Sequence, residues 1–174
     1  DKNIADKNTT PSLSFEGKVW QVSVDGKKVK LMKKDEDGDE QPISIIKVVV
    51  LNYAKKRGRA YYEGVYDPGK PGAPTCWSDD GVRPSQAVEE PVSDKCEGCP
   101  MSVKGSRQTD TGRKIAACSQ HLMVAVVPAN DLNHTPLRLK LAITSVWDAD
   151  GKEEQAKGWY AFDQYVDKFR QEGV

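Results

Sequence analysis

The sequence predicts a mainly β fold: a small barrel that carries one long loop and ends in a single C-terminal amphipathic helix. Three observations lead there. Short alternating or β-branched segments recur from residue 13 to residue 66 and again from 122 to 143. Between them, residues 67–115 are rich in Pro, Gly, Ser, Asp and Thr and show no hydrophobic period. Near the end, Trp159, Phe162, Val166 and Phe169 repeat at the spacing of one helical face.

Residues 1–12 are polar apart from Ile4 and read as a flexible terminus ahead of a single β-rich domain over 13–174. Lys18–Val24 alternates cleanly and stops at Asp25-Gly26, a hairpin signal, with Lys28–Met32 as the return strand. The charged run Lys33–Glu40 reads as a solvated loop. Ile43–Tyr53 has the highest β-branched density in the chain, and the pattern predicts burial on both faces. Lys55–Arg59 is expected to turn the chain back into an aromatic strand, Ala60–Tyr66. An insertion over about 67–118 follows, and then strands at Leu122–Val127 and Leu137–Ile143. The helix has Gly173 as its terminating residue. Trp20, Trp147 and Trp159 are expected in the core. About six strands at this size suit the five-stranded, partly open oligonucleotide-binding barrel (OB-fold), with another β-barrel or an α+β sheet as alternatives.

Composition sets outer limits. The chain has 174 residues, 37% hydrophobic and 30% charged, enough for one modest core. A net charge of zero excludes a strongly basic nucleic-acid coat and an acidic solvating tail. The longest apolar run is Leu122–Val127, far short of a membrane span, and no secretory leader pattern is visible.

Four cysteines stand at Cys76, Cys96, Cys99 and Cys118. Cys96-Glu-Gly-Cys99 is a metal knuckle: two thiolates two residues apart can face one tetrahedral cation, and the Gly lets the chain turn between them. Cys76 and Cys118 flank it at nearly equal distances and complete a four-thiolate set. Such a site suits one structural Zn2+ that staples a loop too long to order itself. Two disulfides and a redox pair are weaker readings of the same residues. His121, three residues after Cys118, is the substitute ligand, and packing is its simpler role. A closed four-thiolate site leaves no coordination position for catalysis, and no catalytic constellation surrounds His121 or His134. The protein is therefore not expected to be an enzyme.

Charge is segregated although its sum is zero. Residues 41–66 hold Lys47, Lys55, Lys56, Arg57 and Arg59 against Glu63 alone, and 95–118 hold Lys95, Lys104, Arg107, Arg113 and Lys114 against Glu97 and Asp110. Residues 67–94 and 148–172 are acidic. The first basic segment also carries Tyr53, Tyr61, Tyr62 and Tyr66. Single-strand binders combine cations that follow phosphates with rings that stack bases. Side chains alternate along a strand, so only one of Tyr61 and Tyr62 can line a groove. Trp77, beside a cysteine, is either a stacking ring or a lid on the loop.

The runs Tyr61–Pro68, Cys76-Trp77-Ser78-Asp79-Asp80-Gly81, Cys96–Pro100, Gly112-Arg113-Lys114 and Leu137-Arg138-Leu139 resemble a family of zinc-containing single-stranded DNA-binding proteins of tailed bacteriophages. The likeness spans about residues 43–172. It implies a cytoplasmic protein of the infected host cell that acts in replication, recombination or transcription. It also implies DNA contacts from Lys55, Lys56, Arg57, Arg59, Tyr61, Tyr62, Trp77, Lys104, Arg107, Arg113 and Lys114. Replication proteins or RNA polymerase are the implied protein partners, and no membrane is. The alternative is a protein-interaction module or RNA polymerase cofactor that docks through its zinc loop.

Overall fold

A computed structural model describes residues 10–64, 73–147 and 158–173. The chain forms two compact units: Asp1–Ala54 with Met123–Lys140, and Lys55–Leu122 with Leu141–Val174.

In the first unit, β1 (Ser12–Glu16), β2 (Val19–Val24) and β3 (Lys27–Lys30) make an antiparallel meander. Its second turn is Asp25-Gly26, with φ of 48° and 78°. Both central residues are left-handed, as a two-residue turn matched to strand twist requires. A small hairpin follows, β4 (Met32–Lys34) and β5 (Glu40–Pro42), where the charge pattern predicted only a solvated loop. Asp35 makes the difference: its Oδ1 accepts the backbone N–H groups of Asp37 and Asp39, so the carboxylate organises the turn. Next come β6 (Val48–Tyr53), β11 (Cys118–Pro128) and β12 (Leu137–Ala142). β6 runs antiparallel to β11, and β12 runs parallel to β1. The core gathers Leu13, Val19, Val124, Val126, Val127, Leu137 and Leu139. Val126 and Val127 are adjacent and both buried, so β11 is covered on both faces there.

The second unit is built on β7 (Gly58–Tyr61), which lies between β11 and β8 (Cys76–Ser78). The long loop adds a 3-10 turn at Pro100–Ser102 and a hairpin of β9 (Arg107–Gln108) and β10 (Lys114–Ile115). Among the described residues the unit also holds the helices α1 (Ile143–Val146) and α2 (Phe162–Gln171). The α2 start is fixed by Gln164, whose Oε1 accepts the Ala161 N–H at 3.0 Å. Phe162, Val166 and Phe169 share its half-buried face, and Gly173 follows with φ of 76°.

The structure is mainly β with a C-terminal helix, and four expectations change. The strand order is β3-β2-β1-β12-β11-β7-β8 with β6 added to β11, and its ends do not pair, so the described sheet does not close into a barrel. β6 and β7 each run antiparallel to β11, so the chain keeps its direction through residues 54–57 and does not reverse. β6 is not buried on both faces: it is paired along one edge and Leu51 is 52% exposed. Trp147 and Trp159 are 59% and 67% exposed and lie outside any core, and the helix begins three residues after Trp159. Trp20 is half-buried, tilted on Phe15 and bonded through Nε1 to the Ser44 carbonyl. Tyr66 and the first part of the insertion lie outside the described residues.

Gly58 shows how tightly β7 is packed. A Cβ there would stand 2.5 Å from His121 Nε2 and 3.0 Å from the Ser78 carbonyl oxygen. Gly58→Ala should therefore cost about 1–3 kcal/mol in urea unfolding. His121→Ala in the same chain should recover part of the loss, and an unchanged midpoint for Gly58→Ala would refute the close packing.

Candidate functional site

Antiparallel register explains why the cysteines meet. Tyr61 on β7 stands opposite Cys118 on β11 and also opposite Cys76 on β8. Directly opposed residues share a face, so the two outer cysteines flank one tyrosine on the same side. Their Cα atoms are two strand spacings apart, about 9–10 Å, and the thiols must lean inward to meet a common ion. The knuckle closes the top. Gly98 turns it at φ 72°, Ser102 donates its N–H to the Cys99 carbonyl and its hydroxyl to the Cys96 carbonyl, and Cys96 donates its N–H to the Val82 carbonyl.

All four cysteines line one cavity of about 20 Å³, with Arg59, Tyr61, Trp77 and Ser78 in the same wall. That is the volume of roughly one water-sized sphere. All four are free thiols, with no disulfide among them. Burial pushes the Cys118 thiol above its ordinary range, the Arg59 guanidinium opposes this, and the thiols of Cys99, Cys96 and Cys76 push it further up. Among the described residues, no group of three or more His, Cys, Asp or Glu side chains stands ready-made to hold a metal ion. What the fold presents is four soft donors in the wall of one small cavity. The donor set fits zinc. His121 is not in that wall: it packs under Gly58 on β11.

The residues expected on a nucleic-acid face divide into two groups. Several are engaged within the fold. Lys56 approaches Asp80 at 3.8 Å, and Arg57 pairs with Asp163 of α2 at 3.0 Å. Arg59, Tyr61 and Trp77 line the cysteine cavity, so Trp77 acts as part of its wall. Arg107 donates to the Tyr62 carbonyl and lies 6.0 Å from the Tyr61 ring centroid. It thereby docks the β9–β10 hairpin on the end of β7. Lys55, Lys104, Arg113 and Lys114 are exposed, and among the described residues they form no ion pair. Tyr62 is 40% exposed, while Tyr61 turns to the cysteines, as strand alternation requires.

Sequence reasoning missed Asp163 and Gly81. Gly81 has φ of 70°, and a Cβ there would collide with the Arg57 carbonyl, so the bulged basic segment rests directly on the Asp79-Asp80-Gly81 turn. Only the Asp-Asp-Gly run hinted at this contact. No sequence signal marked Asp163, because its partner lies 106 residues away. No protein-family model matches the chain, and no curated protein or solved structure is similar to it.

Asp80 ties this region together and sets a pH dependence. Its carboxyl is held below the usual carboxylate range, chiefly by the Val82 N–H, with help from the Ser78 hydroxyl and Lys56. A depressed native pKa contributes stability that is present above the unfolded value of 3.8 and fades as pH falls through the native one. Hydrogen exchange at Val82 and Gly81, compared with global unfolding, should show this turn loosening selectively below about pH 4. Asp80→Asn should remove that dependence, and a pH-independent turn in the parent chain would contradict it.

Proposed function

We propose that the protein binds single-stranded DNA through the second unit, with one structural Zn2+ held by Cys76, Cys96, Cys99 and Cys118. The observation that carries this reading is the docking of Arg107 on β7. It brings the basic limb Lys104–Lys114 to β7, which carries Arg59, so Lys55–Arg59 and Lys104–Lys114 belong to one unit. Lys55, Lys104, Arg113 and Lys114 then supply phosphate contacts, and Tyr62 supplies a stacking ring. Arg59, Tyr61, Trp77 and Arg107 position these groups. In this reading the open sheet is a divergent form of the partly open oligonucleotide-binding barrel, and the setting is the cytoplasm of a phage-infected cell. A second reading, docking on a replication protein or RNA polymerase, is favoured by the exposed rings of Trp147 and Trp159.

Zinc, when bound, supplies four thiolate bonds and no open position, so it fixes shape. The chain's own part is to place two thiols by strand register and two by the Gly98 turn. Metal analysis should give about one zinc per chain with thiols unreactive to a disulfide reagent, and strong chelation should expose all four cysteines and lower the melting temperature. Clearly less than one zinc with freely reactive thiols ends this part of the reading.

Titration of oligo-dT against metal-replete protein should show affinity falling steeply with salt. Replacing Lys104, Arg113 and Lys114 by Ala should weaken binding and flatten that slope by roughly 0.7 per lost phosphate contact. Asp163→Asn releases Arg57 from an exposed ion pair and should tighten binding by up to about fivefold. Absence of any oligonucleotide binding at ~50 mM salt would overturn the proposal.

A further inference from the structure

Strand β6 is apolar apart from Asn52 and Tyr53 and is among the least covered strands of the first unit. Val49, Val50, Leu51 and Tyr53 are 40%, 37%, 52% and 36% exposed, and Ile45 just ahead of them is 82% exposed. β6 pairs with β11 along one edge, and among the described residues no strand pairs along the other. Such an edge offers a row of backbone donors and acceptors, and folded proteins usually guard it with Lys, Pro or a short length. Val48–Tyr53 contains no charge and no proline; a bulge at Leu51 and the Asn52 Oδ1 that accepts the Tyr53 N–H break its far end, while Val48–Val50 stays regular.

The edge leads into a cleft. At the N-terminal end of β6, Ile43, Ile45, Ile46 and Val48 help to wall a space of about 620 Å³ within the first unit. Its charged and titratable lining residues are Lys47 and His134, and no Asp or Glu lines it. That volume lies inside the range of about 300–1,000 Å³ in which proteins seat small groups.

We propose that the β6 edge and this cleft form a docking site for an extended acidic segment of a partner protein. The segment adds a strand to β6, seats an apolar side chain in the cleft, and sets a carboxylate against Lys47 and His134. Backbone pairing then supplies affinity and the cleft supplies selectivity. The charges choose this occupant over a second copy of the chain. Antiparallel self-pairing about Leu51 would set Lys47 of one copy opposite Lys55 of the other, twice in each two-fold dimer. Like charges opposed across a strand pair are destabilising. An acidic segment meets attraction where a second copy meets repulsion. The proposal does not rest on nucleic-acid binding.

The probe is a labelled nine-residue peptide of alternating Val and Thr that ends in Leu-Asp-Asp, titrated into full-length protein by fluorescence anisotropy. Saturable binding is expected, with a loss of about tenfold on Lys47→Glu and a complete loss when alternate peptide amides are N-methylated. Lys47 and Leu51 are exposed, so Lys47→Glu and Leu51→Lys should leave the circular dichroism spectrum unchanged. Four results overturn the proposal: no binding up to ~1 mM, binding that survives N-methylation, binding indifferent to Asp→Lys in the peptide, or a sedimenting dimer that Leu51→Lys converts to monomer. The last would assign the edge to a second copy.

Discussion

The second unit depends on one register: Tyr61 faces Cys118 across one strand pair and Cys76 across the other. A slip of a single residue would send the two thiols to the opposite face, away from the Cys96–Cys99 knuckle. The tight contacts of Gly58 with His121 and Ser78 guard that register two strand repeats away. The long loop is then anchored at both ends by strand pairing and at its middle by the knuckle. The same tyrosine carries Arg107 on its ring, so the position of the basic hairpin follows from the position of the cysteines.

The basic segment after β6 is oriented by contacts from elsewhere in the second unit although it is not a strand. The chain bulges out between β6 and β7 without changing direction, so Lys55, Lys56 and Arg57 project from a ladder and not from a hairpin tip. Asp80, Gly81 and Asp163 meet that bulge from two other parts of the unit. These are exposed pairs, each worth a fraction of a kcal/mol, and their role is orientation more than stability.

What was legible in the sequence was local. Asp25-Gly26, the alternation of Lys18–Val24 and the spacing of Phe162, Val166 and Phe169 in α2 each state their structure within a few residues, and each formed close to where the pattern put it. The cysteine spacing told which thiols belong together but not that strand register would bring the outer pair to one tyrosine. The failures share a cause. The apolar run Ile43–Tyr53 states that it should be covered, and local sequence cannot say whether this chain supplies the cover. Lys55–Arg59 has the composition of a turn, yet both flanking segments find the same partner strand, and that shared pairing overrides the turn signal. Trp147 and Trp159 were assigned to the core by residue type alone, and type does not fix exposure.

The parallel pairing of β1 with β12 bears on how the molecule is made. Ser12 pairs with Arg138 and Leu13 with Leu139, so β1 waits for a strand far later in the sequence before its core can close. Contacts this distant in sequence carry a high loop-closure cost and slow the search for the native state. Meanwhile the β1–β3 meander can pair with itself from the outset, which occupies both edges of its central strand β2 during the wait. The second unit's loop, strands and knuckle all lie inside that interval. The nascent chain therefore has the means to pair the cysteine-bearing strands while the first unit is still open.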